Sequence, residues 1–369
     1  MTDPDQRLAQ LLALGQSPWL DNLRRGWITG GELQQWVDRG IRGLTSNPSI
    51  FQKAISSGTD YDEQFGKLVG QGTEVTDAYW DLVVEDIRGA LALLRPVYDA
   101  TGGLDGFVSV EVAPELARDS AGTEAAARDL HERIAEPNLY VKIPGTAEGL
   151  APIQAMIAEG RSINVTLIFS LDRYAEVAEA YLAGLEAAEG DLSRTSSVAS
   201  FFVSRVDTEI DRRLDDIGTA EALSLKGKAA VAQAQAAYTR FTEIFSGPRW
   251  EALVARGARV QRPLWASTST KDPSLPDTLY VDALIGPDTV NTMPEATIDA
   301  FTDHGTPART VDADPAGAQA VLDQLAAVGV DLADVAQVLE DQGVASFSKS
   351  FDELLDALGS KAAELGAGK

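Results

Sequence analysis

Leu139-Tyr140-Val141-Lys142-Ile143-Pro144-Gly145-Thr146 reads as a strand that runs straight into a turn: an apolar, partly β-branched run closed by Pro-Gly. Beyond it Ile153, Met156 and Ile157 recur at helical spacing, so the segment is one strand–turn–helix unit. Lys142 is the one charged side chain inside the run. Burial disfavours an ammonium, and the free amine is the nucleophile that condenses with carbonyl compounds. The other reading is a strand lysine that snorkels outward or pairs with a nearby carboxylate. The rest of the chain has to choose between them.

Working outward, short apolar runs alternate with longer stretches of helical period. The candidate strands are Pro18–Asn22, Arg42–Asn47, Gly106–Val112, Leu139–Ile143, Ile163–Phe169, Ser196–Phe202, Arg262–Ser267 and Asp288–Thr292. Eight strands, each followed by helix, predict an α/β fold, a single (β/α)8 TIM barrel. Among the helices, Val83, Ile87, Leu91 and Leu94 form a stripe behind Thr76, read as an N-cap with Asp77 in the first turn. Another starts behind Ser170, carries Val177, Tyr181, Leu182 and Leu185, and ends at Gly190. The chain is longer than a minimal barrel in two places, and both extras read as helical. One is an insertion at about 50–100, between the second and third strands. The other is a C-terminal tail at about 315–365, with helices near Pro315–Val328, Asp331–Glu340 and Ser346–Leu365 and a frayed Gly-Ala-Gly-Lys end. With no Pro/Ser-rich linker and no internal repeat, residues 1–369 are expected to form one domain.

Composition removes several classes of function. Lys and Arg number 31 against 56 Asp and Glu, a formal charge of -25 that repels nucleic acid and anionic lipid. No cysteine is present, which excludes disulfides, thiol catalysis and cysteine-ligated zinc. The two histidines, His131 and His304, have no metal-ligand spacing, so no metal and no cofactor are expected. The chain has no apolar run long enough to span a bilayer and no basic-then-apolar N-terminal stretch, so a cytoplasmic protein with no membrane partner is expected. Monomer and homodimer are both left open.

Barrel enzymes place their chemistry where the strands end. Here strand one ends in Asp21-Asn22, strand two in Thr45-Ser46-Asn47-Pro48-Ser49, strand three in Ser109-Val110-Glu111-Val112, and strand four carries Lys142. Strand five runs through Asn164-Val165-Thr166, strand six ends at Ser200 ahead of Ser204-Arg205, and strand seven ends in Ser267-Thr268 with Lys271 beyond. Each has a structural reading: Asp21 a helix cap, Asn47 a turn residue with positive φ, Glu111 an ion-pair partner of Lys142, Asn164 a bonded amide inside the barrel. Those readings do not explain why all of them lie at one end of the barrel.

Taken in order, Thr45-Ser46-Asn47-Pro48-Ser49, Val141-Lys142-Ile143-Pro144-Gly145-Thr146, Ile163-Asn164-Val165-Thr166-Leu167-Ile168-Phe169-Ser170, Ser200-Phe201-Phe202-Val203-Ser204-Arg205 and Asp288-Thr289-Val290-Asn291-Thr292-Met293-Pro294 closely resemble the transaldolase family. The likeness covers about Trp19 to Pro294. It implies a metal-independent class I aldolase barrel of the pentose phosphate pathway, acting on sugar phosphates through a lysine Schiff base. Such an enzyme moves a dihydroxyacetone unit from sedoheptulose 7-phosphate or fructose 6-phosphate to glyceraldehyde 3-phosphate or erythrose 4-phosphate. By resemblance Lys142 would form the Schiff base, Asp21 would act as acid/base at the scissile bond, and Glu111 would act through a water near Thr166. Asn47 and Asn164 would hold hydroxyls of the three-carbon unit, and Ser200 and Arg205 would bind phosphate. A further basic residue normally follows strand seven; the sequence departs there, and Lys271 is the candidate.

Phe202 bears on the outcome of the reaction. The related fructose 6-phosphate aldolases resemble this pattern but place a tyrosine there, whose phenol could orient water onto the intermediate. A phenyl ring cannot, which favours transfer over release. Arg205 precedes the helical stretch Val206–Leu214, where helix N-terminal N–H groups add to its charge, unless it pairs with Asp207 or Glu209. The alternatives are another class I aldolase that releases dihydroxyacetone or pyruvate, and a non-catalytic sugar-phosphate-binding barrel. A scaffold role for the helical tail is also open.

Overall fold

The computed structural model describes residues 4–367. Eight strands, β1 (Gln16–Leu20), β2 (Gly43–Thr45), β3 (Phe107–Glu111), β4 (Leu139–Pro144), β5 (Ile163–Ile168), β6 (Ser197–Phe202), β7 (Arg262–Ala266) and β8 (Thr289–Met293), pair in chain order and close into a barrel. All neighbours are parallel, including β1 with β8. The eight expected strands are therefore all present, with ends within two residues of the sequence reading. They are buried along their whole length, the condition under which a strand reads as a continuous apolar run.

The N-terminal half of the barrel is filled for stability. Phe107 and Tyr140 stack with ring centroids 4.1 Å apart, and Trp19 lies 6.1 Å from Tyr140. Trp19 fits because residue 43 is glycine: a Cβ there would lie 2.4 Å from the indole. Beneath the rings, Asp105 accepts from Trp19 Nε1 at 3.2 Å and pairs with Arg262 at 3.2 Å, so this buried charge is paired. Because alternate residues of a strand share a face, the residues two beyond these rings point into the other half of the barrel: Asp21 after Trp19, Lys142 after Tyr140.

The insertion consists of helices Pro48–Ser56, Asp62–Gly70 and Val75–Ala100. Thr76 is not an N-cap: the helix begins at Val75, which packs on the core, with Glu74 as the extended residue before it. Ser170 does cap its helix, Leu171–Ala187, accepting from Arg173 N. That helix ends earlier than Gly190, at Ala187 ahead of extended Ala188, and Gly190 turns beyond it at φ 75.

In the tail, helix Pro315–Ala327 is capped by Asp314. The next two expected helices are one, Leu332–Ala367, running unbroken through Gly343 and Ser346. Glycine and serine weaken a helix by a fraction of a kcal/mol to about 1 kcal/mol each, which packing along the whole length overrides. Gly366 and Ala367 of the expected frayed end are helical, and Gly368 and Lys369 lie outside the described residues. No described helix is long and apolar enough to cross a membrane.

Candidate active site

Strand register assembles the centre of the site. Glu111 on β3 is in register with Lys142 on β4, and Lys142 with Asn164 on β5, so three polar side chains stand at one level. Lys142 Nζ lies 3.0 Å from Glu111 Oε2 and donates to the Ser46 carbonyl at 3.0 Å. Both side chains are almost wholly buried, at 5% exposure. The lysine thus points inward, and the carboxylate it pairs with is itself one of the candidate residues.

Asp21, just past β1, accepts from Thr45 Oγ1 at 2.7 Å and caps no helix; Thr45 in turn meets Thr292 Oγ1 at 2.6 Å. Burial raises the proton affinity of the Asp21 carboxyl above its usual value, against the Thr45 bond and the charge of Lys142. Burial likewise raises Glu111, opposed chiefly by Lys142. Two carboxyls whose proton affinity is raised by burial, both within electrostatic reach of the same lysine, are suited to exchanging protons in a reaction.

Asn47 has φ -157, extended and not left-handed, and its Oδ1 caps helix Pro48–Ser56 through Ile50 N at 3.0 Å. That bond fixes the side chain and leaves its amide NH2 for the pocket. Asn164 is held at both ends, donating to Ser109 Oγ at 3.0 Å and accepting from Ser200 Oγ at 2.7 Å. Among the described residues no protein group bonds the buried Thr166 hydroxyl.

On the far side of the mouth, Arg205 sits in the first turn of helix Ser204–Ile217 with its guanidinium 5.3 Å from the Phe202 ring centroid. Its sequence alternatives are otherwise engaged. Asp207 accepts from Ala230 N and Tyr280 Oη, and Glu209 holds Arg212 and Arg213. Lys271 stands at the rim, donating to Ser269 Oγ at 2.6 Å.

A cavity of about 190 Å³ joins these groups, lined by Asp21, Thr45, Asn47, Lys142, Thr166, Ser200, Phe202, Arg205, Ser267, Ser269, Lys271, Thr292, Pro294 and Phe347 among others. Of the sequence candidates, Glu111 and Asn164 lie behind this wall and do not line it. Ser267 and Ser269, just past β7, and Thr292 and Pro294, at the end of β8, are additional lining residues. Phe347 comes from the tail and was not among the sequence candidates; its signal is an apolar stripe at four-residue spacing that passes through Gly343. Among the described residues no group of three or more His, Cys, Asp or Glu side chains is placed to share a metal ion.

Comparison with known proteins identifies the family. A sequence model of the family described as Transaldolase/Fructose-6-phosphate aldolase matches residues 18–358. Proteins named Transaldolase from Parafrankia sp. (strain EAN1pec), Thermobifida fusca (strain YX) and Mycolicibacterium smegmatis (strain ATCC 700084 / mc(2)155) are similar to the chain. They are 52%, 53% and 52% identical over 356, 354 and 355 residues, each covering 95% of this chain and 96% of the relative. With a closed barrel, a buried lysine at its mouth and these relatives along almost its whole length, the chain belongs to the transaldolase/fructose-6-phosphate aldolase family.

Proposed function

We propose that the protein is a transaldolase, a transferase that carries a dihydroxyacetone unit from a ketose phosphate to an aldose phosphate through a Schiff base on Lys142. The observation that carries this reading is the buried Lys142–Glu111 pair at 3.0 Å, set in one mouth with Asp21 and Arg205. Glu111 takes the proton that the Lys142 ammonium must lose before its amine can attack the C2 carbonyl. The carbinolamine then loses water, with protons passing between Glu111 and a water held at the free Thr166 hydroxyl. The product is a protonated imine, an electron sink next to C3. Asp21 removes the C4 hydroxyl proton, the C3–C4 bond breaks, and its electron pair becomes the enamine while the aldose phosphate leaves. An incoming aldose phosphate reverses these steps: the enamine carbon attacks its aldehyde and Asp21 returns the proton.

Asn47 orients a hydroxyl of the three-carbon unit, Asn164 fixes Ser200 from behind the cavity wall, and Arg205, Ser200 and Lys271 hold the phosphate. A cationic pocket of this kind admits an anion into a protein of charge -25, because among the described residues Arg205 has no ion-pair partner to displace. Sedoheptulose 7-phosphate or fructose 6-phosphate is the donor, and glyceraldehyde 3-phosphate or erythrose 4-phosphate the acceptor. Phe202 supports transfer over simple cleavage: it puts a phenyl face, with no hydroxyl to position water, against the intermediate.

The test is borohydride reduction in the presence of fructose 6-phosphate, followed by peptide mapping. A three-carbon adduct on Lys142, with heptulose phosphate formed when erythrose 4-phosphate is added, is expected. Free dihydroxyacetone released at the same rate with or without acceptor would instead make the protein a lyase.

A further inference from the structure

We infer that the terminal helix Leu332–Ala367 is a wall of the sugar site, and that its Phe347 is the positioning residue that keeps water from the enamine between the two half-reactions. This rests on the reading of the mouth cavity as a ketose-phosphate site.

The buried apolar residues of this helix are Val335, Leu339, Phe347, Phe351, Leu354 and Leu358; the first four fall on a four-residue repeat, with Gly343 occupying its missing step. Four-residue spacing puts those four and Gly343 on one face. At Gly343 that face meets β5. A Cβ there would lie 2.9 Å from Leu167 Cδ2 and 3.7 Å from Arg205 Nη1, so the glycine lets the helix backbone settle against the strand end and beside the guanidinium. Leu167 is itself unusual, a buried leucine at φ 58 in the irregular stretch of β5 between Val165 and Ile168. One turn on, Phe347 is 5% exposed and lines the same cavity as Lys142, Phe202 and Arg205. One turn further, Phe351 lies 5.3 Å from Tyr79, and both line a second cavity of about 10 Å³ on the other side of Glu111. A single helix face therefore covers the substrate mouth and the back of the Glu111 carboxylate.

Polar contacts hold the helix at this height. Asp334 pairs with Arg213 at 2.7 Å, Glu340 and Asp341 with Arg118 at 2.7 and 2.6 Å, and Ser350 Oγ meets Ser49 Oγ at 2.6 Å. The chemistry needs such a cover. Once the aldose leaves, protonation of the enamine carbon regenerates an iminium. Attack of water on that iminium releases dihydroxyacetone and restores the free Lys142 amine, ending the transfer. Two phenyl groups, Phe202 from β6 and Phe347 from the helix, line the cavity where that water would stand.

The experiment compares the full-length protein with F347A, F347L and G343A, measuring free dihydroxyacetone released per unit transferred from fructose 6-phosphate to erythrose 4-phosphate. The adduct on Lys142 is trapped in each, and folding is followed by circular dichroism. F347A is expected to raise the release-to-transfer ratio at least tenfold with the adduct still trapped, and F347L to fall between. G343A, whose methyl must displace either the Leu167 side chain or the helix without emptying the cavity, is expected to move the ratio the same way, and it carries the test if F347A does not fold. A ratio within twofold of wild type in the folded variants overturns the role of Phe347 and leaves the transaldolase reading standing. A wild-type protein that neither forms the adduct nor transfers removes that reading and this inference together.

Discussion

Arg205→Ala separates phosphate binding from carbonyl chemistry. The guanidinium lies at the cavity wall in the first turn of its helix, with a ring beneath it and no ion pair among the described residues, so its charge is directed at a ligand. A charge-assisted hydrogen bond to a phosphate contributes ~1.5–3 kcal/mol, and each 1.4 kcal/mol is about tenfold in equilibrium. The expected fall in kcat/KM is therefore roughly 10- to 150-fold for a phosphorylated ketose, carried mainly by KM, and near zero for unphosphorylated fructose. What is lost inside the protein is one cation–π contact, ~0.5–1 kcal/mol, together with the favourable charge Arg205 sets near the buried Asp21 and Glu111 carboxyls, so the stability change should be modest. The variant has a second signature. Arg205 favours the ionised forms of Asp21 and Glu111, so without it both carboxyls are held still further above their ordinary values. The acid limb of the kcat/KM profile should then move to higher pH. The assay is steady-state transfer with both ketoses from pH 5 to 9, with borohydride trapping as a check that the Schiff base still forms. Equal losses for the two ketoses on the pH plateau, above the acid limb, would refute this reasoning, since there the carboxyl shift drops out and a phosphate ligand cannot affect a substrate that has no phosphate.

Lys142→Ala should abolish the borohydride adduct with the barrel intact, leaving a small cavity and a lone Glu111 carboxyl. Because Lys142 favours the ionised Glu111, the variant's melting temperature should fall more steeply than that of wild type as pH rises above about 4.5; parallel curves would argue against the pair. Asp21→Asn should lower kcat by about 10²- to 10⁴-fold, the usual contribution of a positioned acid/base. Asp21 has its folded value raised above 3.8, so the native wild type holds that proton more tightly than the unfolded chain and loses stability as pH climbs through the folded value. The asparagine variant lacks this loss, and its melting temperature relative to wild type should increase between pH 4 and 8; a constant difference would contradict the burial. Gly43→Ala, far from the chemistry, should cost ~1–3 kcal/mol in urea unfolding, because its methyl would overlap the Trp19 indole, and retained full stability would show that the indole can move aside.

The barrel and most of its mouth were legible because one periodicity carries both. A strand buried on two faces is apolar throughout, so a polar residue inside it is conspicuous, and the two-residue repeat puts it on the same face as a core ring: Asp21 with Trp19, Lys142 with Tyr140. Register, which sequence spacing does not give, then decides who meets whom. It sets Glu111 beside Lys142, and it encloses Asn164 between Ser109 and Ser200, behind the cavity wall and not on it. Asn47 differs for a local reason, since Pro48 following it favours extended backbone and the asparagine becomes the cap of the next helix.

The tail was the least legible part. An apolar stripe at four-residue spacing looks the same whether it lies on barrel core or on a substrate, and Gly343 and Ser346 read locally as a break between two helices. Only the tertiary contact distinguishes these cases. Where the helix crosses β5 a side chain would collide with Leu167, so glycine is the residue that permits the crossing, and the helix passes through it unbroken. The same crossing explains how a leucine is kept at positive φ: conformations costing about 1–3 kcal/mol persist where the surroundings over-determine them, and Leu167 is held between the β5 irregularity and the Gly343 backbone. Residues delivered by strand ends follow from topology, whereas Phe347 arrives through the return of a segment more than 180 residues beyond Lys142, and its place in the site depends on that close approach and on the polar contacts that hold the helix.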